Sequence, residues 1–241
     1  MPNAIVTGGA SGIGRATCEL LAREGWYVAV ADRDLEGAQK VAHAISGMAF
    51  AVDVSDEASV AALVEAAVAE FDGTLHGLAT PAGIADTTPF MEIDRATFDR
   101  VYAINVLGTF FCVREAAKRM KAGARICTVA SVAGKRGGGL SGTAAYAASK
   151  GAVLALSRNA ARALAPLGIA VNCVAPGATE TPMVAKSFEN REHRERVESL
   201  TLLGRSATPG EIAEAIAWLL SPRSSFVDGE TLTVDGGLML D

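Results

Sequence analysis

No long apolar run and no excess of basic charge occur in the sequence. The formal net charge is −5 over 241 residues, which disfavours nucleic acid and anionic membrane surfaces as partners. The mean hydropathy is +0.27, but the apolar residues are scattered, and no run approaches the roughly 20 residues of a spanning helix. The chain enters a strand-like run at once, so no signal peptide is predicted. We expect a soluble, cytoplasmic protein that acts on a small molecule.

Residue spacings typical of metal sites and disulfide frameworks are also missing. The four cysteines lie far apart in the sequence, without paired short spacings. The three histidines lack a Cys, Asp or Glu at ligand spacing. We therefore expect no metal, four reduced packing cysteines, and surface or loop histidines. These residues are Cys18, Cys112, Cys127, Cys173, His43, His76 and His193.

Short apolar or β-branched runs alternate with helix-length, alanine-rich segments along the whole chain. The alternation predicts an α/β fold, a doubly wound parallel sheet of about seven strands with helices on both faces. Half of the residues are hydrophobic, which suits a single domain over 1–241. The last helix should begin near Pro209, where Thr208 and Glu211 form a capping box. The predicted strands are Ala4–Thr7, Tyr27–Ala31, Ala49–Val52, Gly77–Thr80, Arg125–Ala130, Ala170–Ala175 and Thr231–Val234.

A glycine-rich turn follows the first predicted strand. It has the spacing Gly8-x-x-x-Gly12-x-Gly14, includes Ser11 and Ile13, and runs directly into a helical pattern. Glycines allow the backbone to approach a pyrophosphate, and a helix N-terminus offers free N–H groups and partial positive charge. Its place at the first βα junction favours dinucleotide binding. A plain glycine-rich turn is the alternative.

The glycine spacing and Tyr146-Ala-Ala-Ser-Lys150 resemble the short-chain dehydrogenase/reductase family. The resemblance extends over essentially the whole chain and implies a Rossmann-like fold, a nicotinamide dinucleotide and oxidoreductase activity. Each motif alone is weak, whereas all of them in the same order are highly specific. The other matching positions are Asp53-Val54, Asn105, Ser131, Pro176-Gly177 and Asp235-Gly236-Gly237. The resemblance implies further cofactor contacts by Asp53, Val54, Ala82, Gly83, Pro176, Gly177 and Thr181.

Asp32 follows the second predicted strand, about twenty residues after the glycine turn. A carboxylate there can accept hydrogen bonds from the adenosine ribose and would repel a 2′-phosphate, so NAD is preferred over NADP. Arg15 and Arg33 are counter-evidence, because an arginine could receive that phosphate. Ser11, however, stands where NADP-dependent relatives often carry a basic residue. A solvated loop acid is the other interpretation of Asp32.

Tyr146 and Lys150 are four residues apart, so on one helix they project from the same face. A nearby ammonium and the positive nicotinamide favour the tyrosine phenolate, which can act as acid/base. By resemblance, the tyrosine takes the alcohol proton, the lysine lowers the tyrosine pKa and holds the nicotinamide ribose, and Ser131 steadies the substrate oxygen. An ordinary surface pair on a helix is the alternative.

Asn105 lies in an apolar stretch of a predicted long helix, where a buried amide needs a partner. The resemblance implies an asparagine that holds a proton-relay water beside the lysine. The alternative is a structural amide that bonds a neighbouring backbone carbonyl.

The chain departs from the family pattern in two places. Thr80-Pro81-Ala82-Gly83 replaces the usual Asn-Asn-Ala-Gly after the fourth strand. Pro81 has no N–H and a fixed φ, so the hydrogen bonds that tie the central strands and the cofactor's ribose edge must be made otherwise. The loop between Ser131 and Tyr146, which carries Lys135, Arg136 and the run Gly137-Gly138-Gly139, is long and should shape the substrate mouth.

Two further segments suggest a lid and self-association. Residues 183–205 are rich in charge and lack a sustained apolar stripe, which suits a mobile lid; a solvated surface helix is the alternative. Family members usually pair small-residue helices into dimers and tetramers, so we expect a homo-oligomer. The small residues are Ala147, Ala148, Gly151, Ala152 and Ala155, and the apolar tail Leu238-Met239-Leu240 has no evident internal use.

The leading hypothesis is therefore an NAD-dependent oxidoreductase that acts on a secondary alcohol, diol or ketone, with Tyr146 as acid/base. An NADP-dependent 3-ketoacyl-type reductase and a non-catalytic dinucleotide-binding regulator are the alternatives. No segment carries a recognisable code for the substrate.

Overall fold

The computed structural model describes residues 1–138 and 143–240. The strands are β1 (Asn3–Thr7), β2 (Tyr27–Asp32), β3 (Met48–Ala51), β4 (Leu75–Thr80), β5 (Met120–Val129), β6 (Ala170–Pro176) and β7 (Thr231–Val234). They form one parallel sheet in the order β3-β2-β1-β4-β5-β6-β7. The predicted seven-stranded α/β sheet is confirmed. β5 starts five residues before the predicted Arg125, because Met120 still pairs with Leu75 across a register irregularity.

Helices connect the strands and follow the sheet on both faces. They are α1 (Gly12–Arg23), α2 (Leu35–Ala44), α3 (Glu57–Glu70), α4 (Arg95–Tyr102), α5 (Gly108–Ala117), α6 (Val132–Arg136), α7 (Ala144–Leu164), α8 (Pro182–Phe188), α9 (Arg191–Glu198) and α10 (Pro209–Leu220). α10 begins at Pro209 with the predicted capping box between Thr208 and Glu211. Within the two described ranges, no helix is long and apolar enough to cross a membrane.

The sheet separates two hydrophobic cores. Ile5 of β1 packs in the core shared with α3, α5 and α7. Its neighbours Ala4 and Val6 pack in the core shared with α1, α2 and α10. Successive side chains of a strand point to opposite faces, and a strand buried on both faces reads as a continuous apolar run. β1 shows this pattern.

The four cysteines are buried and carry free thiols, as predicted. His43 and His76 are exposed, in agreement with the sequence. His193 differs, because it is half-buried on α9 with its ring beside that of Phe188. The sequence around His193 gives no signal for this contact, because the other residues of α9 are mostly charged.

The segment that directly follows Ser131 forms a short helix and not a loop. The Ser131 hydroxyl accepts the N–H of Ala133 at 3.1 Å and starts α6, which ends at Gly137 with a φ of +85°. The prediction of one long loop was therefore wrong for 132–136, where the serine cap and the left-handed glycine bound a short helix. The remainder of that predicted loop includes 139–142, which lie outside the described residues.

Candidate active site

A cavity of about 330 Å³ opens at the carboxyl edge of the sheet, where chain order reverses between β1 and β4. Open α/β sheets bind ligands at such a switch point. Among the residues predicted as catalytic or cofactor-binding, all but Asn105 line this cavity. The lining members of that set are Gly8, Ser11, Gly12, Ile13, Gly14, Asp32, Asp53, Val54, Ala82, Gly83, Ser131, Tyr146, Lys150, Pro176, Gly177 and Thr181.

The glycine turn packs so closely that side chains would not fit. A Cβ on Gly14 would lie 2.0 Å from the carbonyl oxygen of Gly8. Gly8 itself has a φ of +65°, and a Cβ there would lie 2.9 Å from the Cα of Ala82. The turn is thus held against the segment that follows β4, with its backbone bordering the cavity.

The N-terminus of α1 suits an anion. Ser11 is the N-cap residue, but its side chain makes no capping hydrogen bond, and the first turn of α1 has no acidic residue. The free N–H groups and the partial positive charge of this helix end therefore border the cavity, and no carboxylate of the first turn neutralises them. Thr181 at the start of α8 closes over the turn, since a Cβ on Gly12 would lie 3.4 Å from its Cβ. These groups fit a pyrophosphate.

Asp32 connects β2 to the glycine turn. Its carboxylate accepts the backbone N–H of Ala10 at 3.0 Å and that of Asp34 at 2.9 Å. Arg33 lines the same part of the cavity, whereas Arg15 lies outside its lining and pairs with Glu19 at 2.7 Å. Of the two arginines that could receive the 2′-phosphate of NADP, only Arg33 therefore borders the cavity.

Asp53 lies two residues after the end of β3, in the segment that leads to α3. Its carboxylate accepts both the backbone N–H of Ser55 at 2.9 Å and the hydroxyl of Ser55 at 2.6 Å. These bonds, and the charge of Arg33, lower the pKa of Asp53. The carboxylate therefore stays ionised at neutral pH where it borders the cavity.

Tyr146 lies in the first turn of α7, and a side-chain hydrogen bond joins it to Ser131. Burial raises the pKa of Tyr146, and the bond to Ser131 opposes that rise. The lowering of the tyrosine pKa by the lysine, which the resemblance implies, stays a prediction. The two hydroxyls form a polar pair in the cavity wall.

Lys150 is buried one turn further along α7. Its Nζ donates to the carbonyl oxygen of Val129 at 2.9 Å and lies 5.9 Å from the centroid of the Tyr146 ring. Burial lowers the pKa of Lys150 to about 8. The predicted pair therefore faces the cavity rather than forming a surface pair, and the end of β5 fixes the ammonium.

Asn105 is buried beneath the cavity, in a π-helical turn (Ala103–Leu107) that interrupts the predicted long helix. Its Nδ2 donates to the carbonyl oxygen of Ile84 and to the hydroxyl of Ser149, each at 2.9 Å. Its Oδ1 accepts the N–H of Ile84 at 2.9 Å. The side chain makes the structural bonds of the alternative interpretation. The relay role stays a prediction.

The hydrogen bonds of Asn105 also hold the segment after β4, where Thr80-Pro81 replaces the two asparagines of the family pattern. Asn105 holds the backbone after β4 through Ile84, and two residues later Asp86 bonds the start of α7. The hydroxyl of Thr80 is buried and has no hydrogen-bond partner within the described part of the chain. Hydrogen bonds of Ile84 and Asp86, which follow Pro81 in the chain, therefore hold the segment after β4 in place.

Several cavity residues were not named individually as site residues from the sequence, although they fall in the predicted lid or directly after Ala82 and Gly83. Met183, Val184 and Phe188 of α8 and Ile84 and Ala85 after β4 border the cavity with apolar side chains. The predicted lid 183–205 therefore does contact the cavity, as two short helices, α8 and α9. Its apolar contacts come from α8 alone, whose pattern is too short to give a periodic signal.

Clusters of three or more metal-ligating side chains do not occur in 1–138 or 143–240.

Known proteins resemble the chain over nearly its full length. A family model described as Enoyl-(Acyl carrier protein) reductase matches residues 8–239. The chain is 43% identical over 242 residues to cis-4-hydroxycyclohexanecarboxylate dehydrogenase of Sinomonas cyclohexanicum, with 97% of this chain and 95% of that protein covered. It is 38% identical over 240 residues to cyclopentanol dehydrogenase of Comamonas sp. (strain NCIMB 9872), with the same shares covered.

A solved structure gives the same result. A protein from Brucella melitensis, described as a short-chain dehydrogenase/reductase and glucose/ribitol dehydrogenase, is 35% identical, with a TM-score of 0.93. The match covers 100% of this chain and 97% of that chain. With the parallel sheet and the glycine turn, these similarities show that the chain belongs to the short-chain dehydrogenase/reductase family.

Proposed function

We propose that the protein transfers a hydride between NAD(H) and a secondary alcohol or its ketone, with Tyr146 as acid/base. The observation that carries the proposal is the shared cavity, which Ser131, Tyr146 and Lys150 line together with the glycine turn and Asp32. Dehydrogenase relatives over the full chain supply the reaction class and a nicotinamide dinucleotide as the cofactor class.

The proton of the alcohol goes to Tyr146. Ser131 donates a hydrogen bond to the substrate oxygen and keeps it beside the tyrosine hydroxyl. The phenolate removes the O–H proton, and the carbon–hydrogen bond breaks with its electron pair to give the ketone. A nicotinamide dinucleotide held by the glycine turn and Lys150 would supply the acceptor for that hydride. General acid–base catalysis by a positioned group contributes roughly 10²–10⁴-fold.

Lys150 acts on the tyrosine and on the cofactor's ribose. Its anchor on the Val129 carbonyl fixes the ammonium one turn from Tyr146. Because burial raises the pKa of Tyr146 in the free protein, the phenolate needs added positive charge. The Lys150 ammonium and the oxidised cofactor supply it.

NAD is proposed over NADP because Asp32 would accept bonds from the adenosine ribose and repel a 2′-phosphate. Arg15 is engaged by Glu19. Arg33, which lines the cavity, is the observation that favours the second candidate, an NADP-dependent ketoacyl-type reductase. The complete Ser131, Tyr146 and Lys150 set argues against a non-catalytic regulator.

The substrate is proposed to be an alcohol on a saturated ring. The Sinomonas and Comamonas relatives are named for a hydroxycyclohexanecarboxylate and for cyclopentanol. We also propose one domain over 1–241, a lid at 183–205, a homo-oligomer and a cytoplasmic location.

Initial rates with NAD and NADP over a panel of ring alcohols test the function. We expect turnover of at least one alcohol, with kcat/KM for NAD at least tenfold above that for NADP. A reversed ratio supports the ketoacyl-type alternative. NADH binding without turnover of any alcohol or ketone supports the regulator.

A further inference from the structure

Part of the cavity lining forms an apolar wall. We use the name apolar wall for Ile84 and Ala85 after β4 and for Met183, Val184 and Phe188 of α8. None of these side chains carries a charge or a hydrogen-bonding group. Ile84 and Ala85 directly precede Asp86, which bonds Thr143 at the start of α7, so a substrate held at Tyr146 would place the rest of its body beside this wall.

The charged residues of the cavity lie elsewhere. Among the described residues that line it, they are Asp32, Arg33, Asp53 and Lys150. The first three lie at or just after the carboxyl ends of β2 and β3, at the end proposed for the adenosine. Lys150 is buried, and its ammonium donates to the Val129 carbonyl.

A cation does pack on the outer side of the wall, but it is already paired. The guanidinium of Arg194 lies 5.8 Å from the centroid of the Phe188 ring. Arg194 bonds the carboxylate of Glu180 and also that of Glu198, the latter at 2.9 Å. Two carboxylates thus neutralise this arginine, which leaves it unsuited to receive a third.

These contacts discriminate between neutral and anionic substrates. The wall is partly open to solvent, since Met183 is 47% exposed. A carboxylate moved from water to this wall would lose part of its hydration without gaining a partner, which is unfavourable. A ring with only apolar substituents gains from the same burial. Building on the proposed function, we propose that the substrate is a neutral, apolar alicyclic alcohol, and that the site rejects ring alcohols with a carboxylate opposite the hydroxyl. The Sinomonas relative, by contrast, is named for a substrate with such a carboxylate.

A matched series of substrates tests the proposal at saturating NAD. The series consists of cis-4-methylcyclohexanol, cis-4-hydroxycyclohexanecarboxamide and cis-4-hydroxycyclohexanecarboxylate, which differ only in the group opposite the hydroxyl. We expect kcat/KM for the methyl compound to exceed that for the carboxylate by at least about a hundredfold, with the amide between them. Equal efficiencies for the methyl compound and the carboxylate would overturn the proposal and leave the proposed function intact.

A substitution should reverse the preference. Val184→Lys places a cation in the wall, so kcat/KM for the carboxylate should rise at least tenfold and that for the methyl compound should fall. Ala185→Lys is the matched control, because Ala185 is the exposed next residue of α8 and does not line the cavity. An equal rise in both variants means general attraction of anions and contradicts the role of the wall.

Ligand binding separates this proposal from the proposed function. If no alcohol is oxidised, the proposed function fails, and the wall is then tested by thermal unfolding of the NADH-saturated protein with two ketones. A shift with 4-methylcyclohexanone but none with 4-oxocyclohexanecarboxylate supports the neutral site. Equal shifts with both ketones overturn it.

Discussion

The buried carboxylate of Asp86 accepts the hydroxyl hydrogen of Thr143 at 2.8 Å, although 57 residues separate them in the chain. The backbone N–H of Thr143 also donates to the carbonyl oxygen of Asp86 at 2.9 Å. Thr143 is the N-cap residue of α7, but its side chain does not cap that helix. Because Tyr146 lies in the first turn of α7, the pair fixes the tyrosine relative to the segment after β4.

Thr143→Val keeps the shape of the side chain and removes its hydroxyl. We expect kcat to fall about tenfold, since small displacements of a catalytic group are costly. The dissociation constant of NADH should stay within about twofold, because Thr143 does not line the cavity. Stopped-flow turnover and NADH fluorescence titration measure the two quantities.

Thr143→Ser is the control for this pair, since serine retains the hydroxyl. It should keep kcat close to that of the wild type. If Thr143→Ser and Thr143→Val lose kcat equally, or if neither loses it, Asp86 does not position Tyr146.

Asp32→Ala should weaken NAD binding and improve the use of NADP. Loss of a charge-assisted hydrogen bond costs roughly 1.5–3 kcal/mol, which is about ten- to a hundredfold in affinity. Removing the carboxylate also exposes a 2′-phosphate to Arg33 without repulsion. Steady-state kcat/KM with each cofactor measures the switch.

Asp32→Asn separates charge from loop structure. An amide oxygen can still accept the N–H of Ala10, which the carboxylate accepts at 3.0 Å. If repulsion sets the preference, Asn should improve NADP use nearly as much as Ala. An unchanged NAD/NADP ratio in both variants means that Asp32 does not contact the ribose.

The sequence predicted the sheet and the residues of the cavity, because both depend on short-range patterns. A glycine turn after a strand and a Tyr146/Lys150 spacing each determine local geometry, and the carboxyl edge of a parallel sheet collects them. All predicted cofactor residues line one cavity for this reason. Asp32 even proved to be the last residue of β2 rather than the first after it.

Other features depend on long-range contacts and left no pattern. The π-helical turn at Asn105 has the same apolar sequence as an α-helix, and its bonds to Ile84 form only after β4 and α7 are in place. Asp86 is a single acid in a loop without a motif. The helical start of 132–136 depends on the Ser131 cap, because its glycine and basic residues resemble a loop.

Lys150 should give the cofactor-free protein a characteristic pH dependence of stability. Burial lowers its pKa to about 8 in the folded state, against about 10.4 in an unfolded chain. Between these values the unfolded chain binds more protons than the folded protein, so this residue's contribution to stability rises with pH. Below pH 8 the folded protein bears the full cost of the buried ammonium.

The four cysteines act in the opposite direction, because burial raises the pKa of each thiol. Their contribution falls above about pH 8.5, where thiols in an unfolded chain ionise. We therefore compare the wild type with Lys150→Met, in which the contributions of Cys18, Cys112 and Cys127 cancel, because Lys150 influences the pKa of Cys173 alone among the four. The wild type should gain up to about 2 kcal/mol relative to Lys150→Met between pH 8 and 9.5.

Urea denaturation over that pH range measures the difference between the two proteins. Lys121→Met, which replaces an exposed lysine, should show no such trend relative to the wild type. A pH-independent difference between wild type and Lys150→Met contradicts a lowered lysine pKa.

Self-association should involve the exposed small residues of α7. Ala148 and Ala155 are exposed on this helix, whereas Ala147 is buried within the chain. Leu240 of the apolar tail is 79% exposed. Sedimentation at micromolar concentration should show a dimer or tetramer of the 24.8 kDa chain.

Ala155→Arg should dissociate that assembly, because a guanidinium does not fit between closely packed helices. Ala66→Arg, on the exposed side of α3, should leave it intact. A wild-type protein that sediments as a single species near the chain mass rules out the oligomer.

Tyr146→Phe deletes one hydroxyl and keeps the ring that fills the same space, so the fold and the cofactor site should survive. Turnover should fall by roughly 10²–10⁴-fold, because the alcohol then has no acid/base within reach. NADH affinity should change little, since the glycine turn and Lys150 make the expected cofactor contacts. Turnover on one active alcohol and NADH fluorescence measure the two effects.

Two variants make this result specific to the Tyr146 hydroxyl. Tyr102→Phe removes a hydroxyl from a ring that stacks on Phe98 outside the cavity lining, and it should keep wild-type turnover. Lys150→Ala should weaken both turnover and NADH binding, because the lysine serves the tyrosine and the cofactor ribose. If Tyr146→Phe keeps near-native turnover, another group is the acid/base, since a phenylalanine ring can neither accept nor return the alcohol proton.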